Sequence, residues 1–191
     1  MTSKFCVVGS PIKHSLSPVI HKAAYAHLGL NFSYERIEVP LGGLGAVMED
    51  QAFSGLSVTM PLKYEAFELS DSYSPEAERT GVVNTLVRSS NGWVGQNTDV
   101  LGFAKCFNQV PDAQRITIVG SGATARSAAL AISRVFPAAK LSVVGRTARS
   151  LVEFTGYLNG LGISSEVLEP EVSSLAGADL VVSTVPAGAF T

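Results

Sequence analysis

RITIVGSGATARSAALAISRVF, residues 115–136, carries the reading of the fold. Five residues with a strand pattern, RITIV, run into glycine and then into an alanine-rich segment with helical spacing. The turn between them has the form G-x-G-x-x-A, with Gly120, Gly122 and Ala125 at the marked positions. Gly120 permits a tight turn, Gly122 lets backbone approach a pyrophosphate, and Ala125 lets the helix lie close to the strand. The helix start offers unpaired N–H groups and a partial positive charge. The expected cofactor contacts are therefore Gly120, Ser121, Gly122, Ala123 and Thr124. Downstream, KLSVVG (140–145), RTARSLVEFTGYLNGLG (146–162), SSEVLEP (164–170), EVSSLAGA (171–178) and ADLVVSTVP (178–186) read as strand, helix, strand, short helix, strand. This βαβαβαβ order predicts a doubly wound parallel sheet with helices on both faces, the Rossmann arrangement. Such a sheet ordinarily continues for another strand and helix, so a C-terminally truncated nucleotide-binding domain is expected.

The end of the second strand of this unit bears on which dinucleotide it takes. An NAD site would place Asp or Glu there to hold the ribose hydroxyls. The chain has VVGRTARS (143–150), with Arg146 in that place, Thr147 beside it, and Arg149 three residues on. Arg146 either starts a helix, where a cation is mildly unfavourable, or meets the 2′-phosphate of NADP through charge-assisted hydrogen bonds. That cost favours the phosphate, and Gly145, Arg146, Thr147 and Arg149 join the expected NADP contacts.

Upstream, FCVVGS (5–10), SYERIEVP (33–40) and GLSVTM (55–60) read as strands. SPVIHKAAYAHLGL (17–30) and GLGAVMEDQAF (43–53) read as helices, with Ser17 at an N-cap ahead of Pro18. Residues 63–80 read as one polar helical segment. VVNTLVR (82–88) and WVGQNTD (93–99) flank an Asn-Gly turn and predict a hairpin. A helix over 100–110 leads to PDAQ (111–114), the expected boundary between domains 1–110 and 111–191. The fold class is α/β, a substrate domain followed by the dinucleotide-binding domain.

Composition narrows the function. Hydrophobic residues make up 46% and charged residues 16% of 191, the profile of a folded chain with a sizeable core. Net charge is −2 with no Lys/Arg run, so no nucleic-acid partner is expected. No apolar run reaches the ~20 residues of a membrane helix, and the N-terminus lacks a signal-peptide layout. Cys6 and Cys106 stand far apart, which predicts neither a disulfide framework nor a metal site. A cytoplasmic protein acting on a small molecule is the expectation, with the oligomeric state left open.

Four short polar stretches recur at strand ends or helix starts: HSLSP (14–18), TMPLK (59–63), VVNTL (82–86) and GQNTD (95–99). Each alone has an ordinary explanation as a cap, turn or solvated loop, and a lone Lys63 would be a surface lysine. His14 either lines a site within the serine stretch or lies at the surface, while His21 and His27 fall on the first helix.

Taken together the motifs resemble the shikimate dehydrogenase family over nearly the whole chain: GSPIKHSLSP (9–18), SVTMPLK (57–63), VVNTL (82–86), GQNTDVLG (95–102) and GSGATA (120–125). The resemblance implies that Ser15 and Ser17 hold the carboxylate of shikimate. Thr59, Lys63, Asn84 and Asp99 then surround the ring hydroxyls. It implies Lys63 and Asp99 as the catalytic residues, NADP as cofactor and no metal. The implied activity is reversible, NADP-dependent reduction of 3-dehydroshikimate to shikimate. Alternatives are a quinate/shikimate dehydrogenase and a relative that binds such ligands without turnover. Ser57 stands where the family usually has Asn, and Gly145 where Asn is common.

Overall fold

The structure, a computed structural model, describes residues 3–186, 188 and 189. The chain divides into two compact units, Met1–Thr98 and Asp99–Thr191. The division lies ahead of PDAQ because the helix before that loop belongs with the second unit, as described below.

The first unit runs β1 (Ser3–Gly9), α1 (Ser17–His27), β2 (Phe32–Glu38), α2 (Leu44–Glu49), β3 (Phe53–Val58), α3 (Lys63–Glu68), β4 (Ser72–Tyr73), α4 (Pro75–Thr80), β5 (Thr85–Ser89) and β6 (Gly92–Gln96). Its six strands form one sheet in the order β2-β1-β3-β5-β6-β4. β1, β2 and β3 are mutually parallel, while β5 runs antiparallel to both β3 and β6. Cys6, Val8, Leu56, Val58, Leu62, Val83 and Leu86 form a core with Leu44, Met48 and Trp93.

Of the local readings that change, two bear on the site. Residues 63–80 are not one helix. They break into α3, the short strand β4 and α4, since Asp71 N–H bonds the Trp93 carbonyl at 2.9 Å and Ser74 N–H bonds that of Gly95 at 2.9 Å. Ser74 then accepts from Ala77 N–H at 3.2 Å as the N-cap of α4, with Pro75 next. Ser17 is not an N-cap: Leu16 holds that place with helical backbone and no side-chain cap, which leaves the Ser17 hydroxyl for other partners.

The second unit contains α5 (Asp99–Phe107), β7 (Arg115–Val119), α6 (Ala123–Val135), β8 (Lys140–Val144), α7 (Ala148–Gly160), β9 (Ser165–Leu168), a 3-10 turn (Val172–Leu175) and β10 (Leu180–Ser183). All four strands are parallel in the order β10-β7-β8-β9. The chain winds outward through β7, β8 and β9 and then crosses back to place β10 beside β7. That reversal is the switch point at which such sheets open a crevice beyond the strand ends. α5 packs here through Val100 and Phe107, which share one core with Ile116, Ile118, Ala128, Leu130 and Phe154. Asp179 ties β10 to β7 by accepting from Gln114 N–H and Arg115 N–H at 3.0 and 2.8 Å and from the Arg115 guanidinium at 3.0 Å.

Candidate active site

The first unit gathers its polar motifs at one edge of the sheet. β1 and β3 are parallel, so the segments that follow Gly9 and Val58 leave from the same edge. β5 is antiparallel to β3, with Ser57 opposite Thr85, so Asn84 precedes β5 at that edge too. β6 returns there, with Gln96 opposite Thr85, and leads to Thr98. Gly9 permits the close approach of the first two segments. A Cβ on it would stand 2.7 Å from the Met60 carbonyl, while Ser10 N–H bonds that carbonyl at 3.0 Å.

On this edge Ser15 and Ser17 form a small hydroxyl hairpin. Ser15 Oγ donates to Ser17 Oγ at 3.2 Å and accepts from Ser17 N–H at 3.3 Å. Arg36 on β2 fixes its outer side by donating to the Ser15 carbonyl at 2.8 Å. His14 is exposed beside it. Beneath lies Tyr34, 3% exposed, whose hydroxyl donates to Ser57 Oγ at 2.6 Å. His21 stacks on the Tyr34 ring at 4.1 Å between centroids, and its Nδ1 lies 2.8 Å from the Ser17 carbonyl. Burial pushes the Tyr34 phenol above its ordinary pKa, so it stays a neutral hydroxyl.

Asn84 is held by Thr98. Its Nδ2 donates to Thr98 Oγ1 at 3.0 Å, and its Oδ1 accepts from Thr98 N–H at 3.0 Å. Thr59 N–H bonds the Val8 carbonyl at 3.0 Å, which fixes the start of the segment leading to Lys63. Lys63 is the first residue of α3, and its carbonyl accepts from Val83 N–H at 3.0 Å. A cation in the first turn of a helix is electrostatically unfavourable, so stability alone does not explain it there. Ser15, Ser17, Thr59, Lys63 and Asn84 thus belong to the first unit. Asp99 opens α5 in the second.

In the second unit a crevice of about 190 Å³ lies at the switch point, lined on one side by Gly120, Ser121, Gly145, Arg146, Thr147 and Ser150 and on the other by Val185 and Pro186. Gly120 has φ +112, and a Cβ there would overlap the Thr184 hydroxyl, so only glycine makes this turn. α6 begins after Gly122 with no side-chain cap, which leaves Ala123 and Thr124 at an open helix start. Ala125 is fully buried, as close helix–strand packing demands.

Ser150 is a crevice residue that the motif reading missed. Its hydroxyl lies 3.0 Å from Ser121 Oγ and 2.6 Å from Thr147 Oγ1 and donates to the Thr147 carbonyl at 3.0 Å. Arg146 is exposed at the crevice and makes no ion pair among the described residues. Arg149 pairs instead with Glu153 at 3.0 Å on the outer face of α7 and is not part of the crevice lining. The open glycine turn, the uncapped helix and the Arg146 guanidinium fit a phosphorylated dinucleotide. No signal in the local pattern marked Tyr34, whose hydroxyl bonds Ser57 on another strand.

A nucleotide-type crevice in one unit and an edge of hydroxyls, amide and lysine in the other define a dinucleotide-binding protein with a separate domain for a small polar ligand. Comparison with known proteins makes the class specific. Residues 7–86 match the shikimate dehydrogenase substrate binding domain, and residues 98–191 match the ornithine cyclodeaminase/mu-crystallin family. The chain is 34% identical to the shikimate dehydrogenase (NADP(+)) of Staphylococcus aureus strain MSSA476, over 97% of this chain and 69% of that protein. The crystal structure of Mycobacterium tuberculosis shikimate dehydrogenase superposes with a TM-score of 0.83 at 33% identity, covering 96% of this chain and 71% of that one. The Thermus thermophilus shikimate 5-dehydrogenase in complex with NADP(H) and shikimate gives a TM-score of 0.81 at 31% identity, covering 96% of this chain and 69% of that one. This chain belongs to the shikimate dehydrogenase family.

Proposed function

We propose that the protein catalyses the reversible, NADP-dependent reduction of 3-dehydroshikimate to shikimate, with substrate held by the first unit and cofactor by the second. The observation that carries this reading is the convergence of the Ser15–Ser17 hairpin, the Thr59–Lys63 segment and Asn84 on one sheet edge. A polyhydroxylated acid needs that mixture of donors and acceptors, because each buried polar group left unpaired costs about 1–3 kcal/mol. In this reading Ser15 and Ser17 bind the carboxylate, and Thr59 and Asn84 bind ring hydroxyls. Gly120, Ser121, Gly122, Ala123 and Thr124 hold the pyrophosphate of NADP. Gly145, Arg146 and Thr147 hold its 2′-phosphate, with Arg149 as an outlying cation.

Bound NADPH supplies the hydride for the reduction. Lys63 donates a hydrogen bond to the 3-keto oxygen and then its proton, so that negative charge does not build up on that oxygen. Asp99 is assigned as the accompanying hydrogen-bond acceptor for a ring hydroxyl. In the oxidative direction Lys63 takes the hydroxyl proton back. Cys6 and Cys106 are free thiols, which suits the cytoplasm.

The test is to mix the protein with shikimate and NADP⁺ and follow NADPH absorbance, with NAD⁺ and quinate in parallel. Turnover with shikimate and NADP⁺ that falls at least ~100-fold in Lys63→Ala is expected. Binding of shikimate without turnover would remove the catalytic reading, and turnover undiminished in Lys63→Ala would remove the assigned proton donor.

A further inference from the structure

The six-stranded sheet of the first unit has two edges, and they are built differently. β4 is two residues long and offers little to another chain. β2 runs for seven residues in unbroken register with β1, and Pro40 comes only after its end. Among the described residues no strand pairs with its outer side. Folds ordinarily blunt such an edge by shortness, a bulge, proline or charge. β2 has only charge, in Glu35, Arg36 and Glu38, all of them exposed.

What those charges permit follows from backbone direction. Val39 N–H bonds the Gly9 carbonyl at 3.0 Å, so the odd-numbered residues of β2 aim their backbone groups at β1. Tyr34, Arg36 and Glu38 therefore aim theirs outward. Two copies of β2 can pair antiparallel about a two-fold axis perpendicular to the sheet. Opposed side chains must share a face, so the axis passes through a residue rather than between two. An axis at Glu35 sets two carboxylates against each other, and an axis at Arg36 sets two guanidiniums against each other. Only an axis at Ile37 opposes unlike charges, with Arg36 of each copy meeting Glu38 of the other. In that register Arg36 and Glu38 also exchange N–H···O=C bonds in both directions, since both aim outward. Ile37, half-buried at the margin of the core, then meets its own copy.

We propose that the outer edge of β2 is an interaction surface for a second copy of this chain, paired antiparallel in the register centred on Ile37. Like charges work against the neighbouring registers, and unlike charges hold this one. The pairing joins the two sheets edge to edge. Its seam borders the serine hairpin, because Arg36 also bonds the Ser15 carbonyl through Nε. The inference stands apart from the proposed function.

The test is analytical ultracentrifugation of the whole chain at low salt, with circular dichroism to show that each variant is folded. The wild type should pass reversibly from monomer to dimer between about 1 and 100 μM. Arg36→Glu and Glu38→Arg each set like charges opposite one another, and each should weaken self-association at least about tenfold. An equimolar mixture of the two variants opposes unlike charges again and should form heterodimers. The double variant Arg36→Glu/Glu38→Arg should recover the homodimer. A wild type that is still monomeric at about 100 μM overturns the proposal. So does a dimer that both single reversals leave intact, which would move the contact to another surface, such as the exposed Val19 and Ile20 of α1. A mixture that fails to associate while the wild type dimerises refutes the register.

Discussion

Arg146→Ala tests the cofactor crevice where the sequence and the structure meet. Arg146 lines the crevice beside Thr147 and Ser150 and makes no ion pair among the described residues. A charge-assisted hydrogen bond contributes about 1.5–3 kcal/mol. Arg146 is exposed, and solvent screening discounts exposed charges heavily, so the low end of that range applies, about 1.5 kcal/mol. That corresponds to about tenfold in affinity. The loss should fall on NADP⁺ alone, because NAD⁺ lacks the 2′-phosphate and, in the proposed reading, its pyrophosphate meets the glycine turn and the start of α6. Dissociation constants for both cofactors, measured by calorimetry at low salt, should therefore show NADP⁺ weakened about tenfold and NAD⁺ changed by less than about twofold. Raising the ionic strength should shrink the difference. Equal weakening of both cofactors would place Arg146 at the pyrophosphate or in the fold, and an unchanged NADP⁺ constant would refute a 2′-phosphate contact.

Two further predictions concern stability. Arg88 donates to the backbone carbonyls of Phe53, Met48 and Asp50 at 2.8, 2.9 and 2.7 Å and covers the Trp93 ring at 4.3 Å, stitching the turn between α2 and β3 to the hairpin. Arg88→Met should destabilise the first unit by about 2–4 kcal/mol in urea melts followed by Trp93 fluorescence, and a loss under about 0.5 kcal/mol would contradict this account. Asp179 is held below the usual carboxylate range, chiefly by its hydrogen bond from the Arg115 side chain and then by the Arg115 backbone N–H. A carboxyl with a depressed folded-state pKa adds stability that is complete above its unfolded value and disappears as pH falls through the folded one. Asp179→Ala should thus lower Tm at neutral pH, with the gap to wild type closing in acid; a gap independent of pH would exclude the ion pair as its cause.

How much is legible in sequence can be judged from particular residues. RITIV, GSGATA and the helix after it stand in the structure as read, because strand, turn and helix here are all set by neighbours within a few residues. The hairpin forms where expected, but its loop is Ser90–Asn91, with Gly92, already on β6, paired to Ser89. The segment 63–80 reads as one helix because its break at β4 depends on Trp93 and Gly95, some twenty residues on, even though Ser74-Pro75 carries a local cap signal. Ser17-Pro18 carries the same signal, yet Leu16 takes the cap position and the Ser17 hydroxyl pairs with Ser15.

The sequence by itself determined the α/β class, the nucleotide turn, the family and the identity of the polar motifs. Those follow from short-range geometry, such as the periodicity of apolar residues and the backbone freedom of a glycine. Only the tertiary structure decided which motifs share an edge and what stands behind them. The order β2-β1-β3 brings Tyr34 to Ser57, and the docking of α7 beside β7 brings Ser150 to Ser121. Strand order and helix docking are fixed by the burial of whole faces against one another, and no window of a few residues records which faces will meet.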